Sequence, residues 1–222
     1  MLSTPKPVII PTAMMSRSRA ARTVPIPAGR EDLCLAFANT LSWRGSSTPS
    51  ESLGGFADLM GWLADAAGLP GDTVDGARRW SQAHRQQAAV LFDEAIGLRE
   101  AVYRLFSAVA ANEPVPGADL ALLNRALAAA PPRERVAPAD GGYAWETDKI
   151  EVSAPGLLAP VLWSAGDLLT RADRRWVRRC ANDACLWLFI DESKAGTRRW
   201  CDMSSCGNRA KSRRHYLRTK QG

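Results

Sequence analysis

The stretch CANDACLWLFIDESKAGTRRWCDMSSC, residues 180–206, contains four of the five cysteines of this 222-residue chain. These cysteines form two C-x4-C pairs separated by 15 residues. Four thiolates fill all four positions of a tetrahedral zinc ion, which is typical of a structural site. A catalytic zinc instead keeps one position open for water. Two other states of the same thiols stay open, namely disulfides and a rubredoxin-like iron site. The predicted Zn²⁺ ligands are Cys180, Cys185, Cys201 and Cys206.

The segment between the two cysteine pairs combines strand-forming residues with a turn signal. Trp187, Phe189 and Trp200 favour strands, and an Ala-Gly pair midway can turn, so a hairpin is predicted between the pairs. After Cys206 the sequence GNRAKSRRHYLRTK contains helix formers and no proline. The sequence therefore predicts a small α+β, treble-clef-like zinc finger over residues 173–222, which ends in a basic helix.

Positive charge is concentrated in this C-terminal part. The whole chain has 29 Lys and Arg against 23 Asp and Glu, whereas residues 171–222 have 14 against 5. A basic segment joined to a slightly acidic body favours binding of a polyanion through that segment. The alternative is a solvated basic helix. The basic candidates for nucleic-acid contact are Arg198, Arg199, Arg209, Lys211, Arg213, Arg214 and Arg218.

Upstream of the finger, apolar residues recur with a helical period over most of residues 30–172. This pattern predicts helices near residues 33–41, 56–68, 72–80, 85–113, 117–131 and 155–172. Gly68 is predicted to end the second helix and Asp72 to cap the third. Asp140-Gly141-Gly142 predicts a small hairpin. The fold class is therefore mainly α, with a helical N-terminal domain and a small hairpin ahead of the finger.

The first 29 residues are predicted to be a disordered tail. Their short apolar stretch is broken by prolines, and arginines follow it instead of preceding it, so it does not resemble a secretory signal. The chain contains no run of about 18 apolar residues that could span a membrane. We therefore expect a cytoplasmic protein with reduced cysteines and no membrane partner. Cys34 is expected to lie in the core of the helical domain.

The cysteine-rich end resembles a known family. Its C-x4-C pair, LFIDES strand, RRWCDMSSCGNRAK block and basic end resemble the CGNR zinc finger, which is named for the string that starts at Cys206. Upstream, LCLAFANTLSWRG (residues 33–45) is similar to the opening motif of ABATE, the domain that precedes this finger. The resemblance spans roughly residues 30–218. It implies zinc on the four cysteines, DNA binding by the finger, and a family described as candidate stress-induced transcription regulators of bacteria.

The resemblance directs attention to two groups of residues. In FANTLSWR, polar and amphipathic side chains lie beside a buried helix face. They form a candidate pocket for a small molecule or anion, with Arg44 as the anchor, and the alternative is helix capping and loop packing. Asn208 and Arg209 either contact DNA or hydrogen-bond the finger to the helical domain. The candidate pocket residues are Asn39, Thr40, Trp43 and Arg44.

These observations predict a zinc-dependent DNA-binding transcription regulator, whose helical domain senses a signal or forms a homodimer. An RNA-binding module and a thiol-based redox switch are the alternatives. An enzyme is not expected, because the sequence contains no GxSxG, HExxH, P-loop or GxGxxG motif. Its only histidines are His84 and His215, which leaves little for histidine-based catalysis.

Overall fold

The computed structural model describes residues 24–27, 32–139, 142–147, 149–171 and 176–220. Within these ranges the protein is mainly helical with small antiparallel sheets, which confirms the predicted fold class. No helix among the described residues is both long and apolar enough to cross a membrane.

Seven helices precede the cysteine-rich segment within the described residues. They are α1 (Leu33–Ala38), α2 (Phe56–Ala67), α3 (Gly71–Ala83), α4 (Arg85–Ala111), α5 (Gly117–Ala129), α6 (Ala154–Leu157) and α7 (Ala159–Thr170). The sequence predicted one helix where α6 and α7 lie. Pro160 falls in the first turn of α7, where proline is tolerated because no helical partner is needed for its nitrogen, so the helix restarts there.

The ends of α2 and α3 show one correct and one wrong capping prediction. Gly68 follows α2 with φ 64°, the left-handed conformation that glycine adopts at helix C-termini. Asp72 does not cap α3, because that helix begins at Gly71 after Pro70 and takes Asp72 into its first turn. The carboxylate still favours the helix there, since it lies near the positive end of the helix dipole.

The core of the helical domain forms where α1 packs against α4 and α7. Leu33, Cys34 and Phe37 of α1 are completely buried. The ring of Phe37 lies 5.2 Å from that of Trp62 on α2, centroid to centroid. Cys34 is therefore a core residue, as predicted, and burial raises the pKa of its thiol to about 12. This core fixes the end of α1, where the residues that contact the finger begin.

A three-stranded antiparallel sheet covers one part of this domain in the order β1-β5-β4. The strands are β1 (Val24–Pro27), β4 (Arg135–Ala139) and β5 (Gly142–Thr147), and the pairing of β4 with β5 confirms the predicted hairpin. Strand β1 pairs with β5 and lies at an edge, which suits its two prolines because an edge strand needs fewer backbone donors. The tail predicted over residues 1–29 is therefore wrong for Val24–Pro27, and the rest of it lies outside the described residues.

The cysteine-rich segment contains a second small sheet and a basic helix. Strand β6 (Val177–Arg179) pairs with β7 (Leu188–Ile190), and a π-helical turn at Met203–Gly207 leads into α8 (Asn208–Lys220). The hairpin predicted between the cysteine pairs is misplaced. The observed hairpin encloses the first cysteine pair, because Leu188–Ile190 pairs with the strand before Cys180 and not with residues near Trp200.

A buried ionic chain links α4 to the loop that follows α1. Arg99 on α4 is 2% exposed and donates both terminal nitrogens to the carboxylate of Glu51, at 2.7 and 2.8 Å. Its Nε donates to Glu100 at 2.9 Å, and Nη1 reaches Thr40 Oγ1 at 3.2 Å. Glu51 lies in the two-residue strand β3 (Ser50–Glu51), which pairs with β2 (Leu41–Ser42). The chain therefore holds this loop, where FANTLSWR ends, against the long helix.

We expect Arg99→Met to lower the free energy of unfolding by about 2 kcal/mol, because the hydrogen bonds of a buried guanidinium to Glu51, Glu100 and Thr40 are lost, while the part-exposed Glu51 can still be hydrated. Urea unfolding followed by circular dichroism measures the loss. The matched control is Arg78→Ala, whose pair with Asp75 is exposed and 3.8 Å long, and it should cost less than about 0.5 kcal/mol. Equal losses for the two variants would show that the buried chain contributes nothing.

The same chain of ion pairs predicts that the protein loses stability as the pH falls. Burial alone would raise the pKa of Glu51, but hydrogen bonds from Arg99 outweigh it and hold the pKa below its ordinary value. Its contribution to stability is therefore complete above the unfolded pKa of about 4.3 and is lost as the pH falls through the folded value. Glu51→Gln should be less stable than the wild type at pH 7, and the gap should narrow below about pH 4 in unfolding titrations. A gap that stays constant with pH would contradict this assignment.

Candidate metal centre and its contacts with the helical domain

The four cysteines of the two C-x4-C pairs converge on one point. Their Sγ atoms all lie within 4.8 Å of one another, and those of Cys185 and Cys201 are 3.7 Å apart. Cys180, Cys185 and Cys206 are buried, and Cys201 is half-buried. None of the four is joined in a disulfide.

Local hydrogen bonds bring the first pair into position. The Cys180 N–H donates to the Trp187 carbonyl at 2.8 Å, continuing the pairing of β6 with β7. At the tip, Asn182 accepts the Cys185 N–H on its backbone carbonyl at 2.8 Å. Leu186 then adopts φ 56°, a left-handed conformation that is uncommon for a leucine. We call residues 180–188 the knuckle, because both thiols of the first pair are presented by this one tight loop.

The second pair is positioned by the π-helical turn. The side chain of Asp202 accepts the backbone N–H groups of Ser204 and Ser205, which caps the turn. The hydrogen bond from the Ser204 hydroxyl, together with those from Ser205 and the backbone, lowers the pKa of Asp202 to about 2. The turn buries Cys206, and its Sγ receives the side-chain amide of Asn182 at 3.4 Å. Asn182 therefore connects the two halves of the cluster.

The donor set fits a structural zinc ion. A tetrahedral site with Zn–S bonds of about 2.3 Å has sulfur atoms about 3.8 Å apart, close to the observed separation of Cys185 and Cys201. Without a cation two of the four thiols resist ionisation, whereas burial of Cys206 is outweighed by hydrogen bonds, first from Asn182, that lower its pKa. Burial raises the pKa of Cys185 to about 12, and burial with the charges of Cys180 and Cys185 raises that of Cys201 further. A bound divalent cation would reverse both effects by offsetting the thiolate charges.

Two residues that support the finger were missed in the sequence. Asp191 is 2% exposed and accepts hydrogen bonds from the backbone and hydroxyl of Ser193 and from the backbone N–H of Arg198. The hydrogen bond from the Ser193 hydroxyl, with these backbone bonds, lowers its pKa. Asp191 and Asn182 thus fold the two loops of the finger, and the Asp-x-Ser pattern typical of a side-chain-capped turn was the available signal for the first.

The structure separates the predicted nucleic-acid contacts into different environments. Arg198 is committed to the finger itself, since its guanidinium donates to the carbonyls of Trp200 and Cys201 and stacks on Phe189 at 4.7 Å. Arg199 and Lys211 are exposed, and the guanidinium of Arg199 lies 5.4 Å from the centre of the adjacent Trp200 ring. The side chains of Arg213, Arg214 and Arg218 lie outside the described residues.

Asn208 and Arg209, for which the sequence left two roles, make contacts within the protein. The side-chain amide of Asn208 donates to the Ser204 carbonyl at 3.1 Å and ties the start of α8 to the π-helical turn. The guanidinium of Arg209 lies 4.6 Å from the ring centre of Trp43, which belongs to the helical domain. Arg209 therefore touches that domain by a cation–π contact.

The four residues of the candidate ligand pocket contact protein groups. Asn39 is 5% exposed and pairs with the backbone of Leu188 in β7. Thr40, equally buried, donates to the Phe37 carbonyl and accepts from Arg99. The packing alternative describes what these two residues do here, since neither polar group faces open space.

Trp43 and Arg44 are engaged in the same way. Trp43 packs against the thiol cluster. Arg44 forms a bidentate pair with Glu100 at 2.6 and 3.0 Å and donates to the Ala38 carbonyl at 2.8 Å. Its guanidinium also lies 3.8 Å from the ring centre of Tyr103. A ligand would have to displace these contacts, so the pocket at these four residues stays a prediction.

The described residues also form two open grooves that none of these four residues lines. One, of about 430 Å³, lies between α3, α4 and residues 152–153, with Trp80, Val90 and Glu94 in its wall. The other, of about 320 Å³, lies between the end of α7 and the finger, beside Trp176 and Asp191. Groove positions depend on how distant elements pack, so the sequence carried no signal for either.

We expect the purified chain to contain one zinc ion, and Cys201→Ser to lose it, because a tetrahedral site with three thiolates binds zinc much more weakly. Metal analysis gives the zinc content, and near-ultraviolet circular dichroism reports the packing of the tryptophans, two of which, Trp43 and Trp200, lie against the cluster. Cys34→Ala is the control and should keep one zinc ion per chain. Full zinc occupancy in Cys201→Ser would contradict the four-thiolate site.

Two family models match the chain, one after the other. The family model for ABATE, described as "Putative stress-induced transcription regulator", matches residues 31–172. The family model for the CGNR zinc finger matches residues 174–219. No curated protein matches the chain. The predicted resemblance is thereby confirmed, and the chain belongs to the ABATE family, with a CGNR zinc finger after the helical domain.

Proposed function

We propose that this zinc-binding regulator acts on duplex DNA through α8, with the finger as its DNA-binding module. The observation that carries the proposal is the position of a basic helix directly after a four-thiol centre. Cys206 lies in the π-helical turn, and α8 begins two residues later at Asn208. The metal centre therefore fixes the N-terminal end of a helix whose main neighbouring element is that turn.

The chemistry of α8 suits phosphate groups. Residues 208–220 include six Lys and Arg and no acidic residue. The described side chains of the helix are mostly exposed, including Lys211, Tyr216 and Lys220. A 13-residue helix is about 20 Å long, and the major groove of B-DNA is wide enough to admit an α-helix. Contacts of this kind supply affinity that depends on salt and little on sequence.

The environments of the basic residues narrow the set that would meet DNA. All the described candidates are exposed, but Arg198, Asn208 and Arg209 hold parts of the finger together or connect it to the helical domain. We therefore propose Lys211 and Arg199 as DNA contacts, and Arg213, Arg214 and Arg218 join them from the sequence alone. Arg198 is left out of the set because its guanidinium bonds to carbonyls of the finger itself.

The domain that precedes the finger would supply regulation, by binding a signal molecule or by forming a homodimer. The match to regulatory families points away from an enzyme, and nothing in the described site suggests catalysis.

The proposal predicts that the zinc-loaded chain binds a random-sequence duplex at low salt and that affinity falls steeply as salt is added. Lys211→Gln should weaken binding and reduce the slope of log K against log[salt] by about 0.9, the value for one phosphate contact. Fluorescence anisotropy of a labelled duplex measures both quantities. Lys149→Gln is the matched control, because Lys149 is also an exposed lysine and lies in the helical domain, and it should leave the slope unchanged.

Competition distinguishes DNA from RNA as the polyanion. Unlabelled duplex DNA should displace the labelled duplex at lower concentration than a structured RNA of equal length does. Preferential displacement by RNA would favour the RNA-binding alternative. Absence of any duplex binding at low salt by the zinc-loaded chain would overturn the proposal.

A further inference from the structure

The helical domain recognises the knuckle through its main chain. The side-chain amide of Asn39, just after α1, donates Nδ2 to the Leu188 carbonyl at 2.8 Å and accepts the Leu188 N–H on Oδ1 at 3.0 Å. Leu188 lies in β7 opposite Arg179 of β6. Because both of its backbone groups bond to Asn39, they face away from β6, at the other edge of β7. Asn39 therefore takes the place of a neighbouring strand.

A second contact brings the two main chains together. The Gly45 N–H donates to the Ala184 carbonyl at 3.2 Å. A Cβ atom at Gly45 would lie 1.7 Å from the Asp183 carbonyl oxygen, a separation no side chain permits. From α4, the hydroxyl of Tyr103 donates to the Leu186 carbonyl at 3.2 Å. The knuckle is thus held by hydrogen bonds to the backbone of residues 184, 186 and 188.

Trp43 connects the loop that contacts the knuckle with the basic helix. It lies between Asn39 and Gly45 in sequence and adopts φ 53°, a conformation that the surrounding contacts must impose on a tryptophan. Its ring packs against the thiol cluster and lies under the guanidinium of Arg209 in the first turn of α8. One side chain of the helical domain therefore touches both the metal centre and the helix that leaves it.

We infer that Arg209, the arginine of CGNR, is a positioning residue: it holds α8 on Trp43, and the helical domain fixes the finger through Asn39, Trp43 and Gly45. The zinc centre is then stabilised from outside the finger, by groups that never touch the metal. A change in the loop at residues 39–45 would reach α8 through the stacked contact of Trp43 with Arg209. Only the duplex measurements below rest on the proposed function; the metal measurements do not.

The first test compares two basic residues of α8 in the full-length, zinc-loaded protein. Zinc release to a chromogenic chelator should be about tenfold faster in Arg209→Gln than in the wild type, the scale expected for loss of a group that supports metal ligands. Lys211→Gln should leave zinc release unchanged while it weakens duplex binding. Arg209→Gln behaving like Lys211→Gln in both assays would show that Arg209 contacts DNA, and would overturn the inference.

The second test is a double-mutant cycle on the stacked pair. Trp43→Leu should accelerate zinc release as Arg209→Gln does, and the double variant should be no faster than the faster single variant, because both remove one contact. Trp80→Leu, on α3 and away from the finger, is the matched tryptophan control and should release zinc at the wild-type rate. Additive effects of Trp43→Leu and Arg209→Gln would contradict a shared contact.

Asn39→Ala provides a separate readout by hydrogen exchange. Loss of the Asn39 side chain should increase exchange in peptides covering 183–190, where the Leu188 amide loses its acceptor, and leave peptides from α5 unchanged. Unaltered protection at 183–190 would overturn the docking role of Asn39. Should the wild-type protein bind no duplex, the proposed function fails, whereas zinc release and exchange still decide the docking.

Discussion

Four thiols within 4.8 Å of one another form the constraint on which the finger depends. Thiolates this close repel one another, so all four can be ionised together only with a cation among them. The rest of the finger serves this arrangement. The β6–β7 pair presents Cys180 and Cys185, and the Asp202-capped turn presents the second pair. The finger is small, and its own buried cluster consists of three cysteines and Phe189, so metal ligation takes the place of a hydrophobic core.

The second constraint is that the finger leaves backbone groups which only the helical domain satisfies. Leu188 is 1% exposed, and burying its N–H and C=O without partners would be costly. The amide of Asn39 supplies both bonds. Asn39 is itself fixed because α1 is buried between α4 and α7, and Thr40 because Arg99 reaches it from α4. The ionic chain of Glu51, Arg99, Glu100 and Arg44 thus belongs to the same assembly as the zinc centre.

Much of this was predictable from the sequence, and what was missed has physical causes. The cysteine spacing identified the cluster because thiols have few other roles in such a pattern, and the helical period identified the long helices. The hairpin in the finger was misplaced because strand propensity does not specify a partner. Strand β1 was missed because prolines suggest a loop, although an edge strand tolerates them. Asn39 and Arg44 suggested a ligand pocket because the groups that bind a ligand are also those that satisfy a neighbouring main chain.

The pairing of Asn39 with Leu188 also limits how well the finger can fold when it is separated from the helical domain. Many zinc fingers are treated as autonomous cassettes that can be moved between proteins. Here, a cut at the boundary near residue 173 would leave two buried backbone groups of β7 unpaired and uncover one side of the thiol cluster where Trp43 lies. A finger transplanted to another scaffold therefore needs an amide-bearing residue and a glycine at matching positions of its new host. The covalent boundary between the two families is not the boundary of the folded unit.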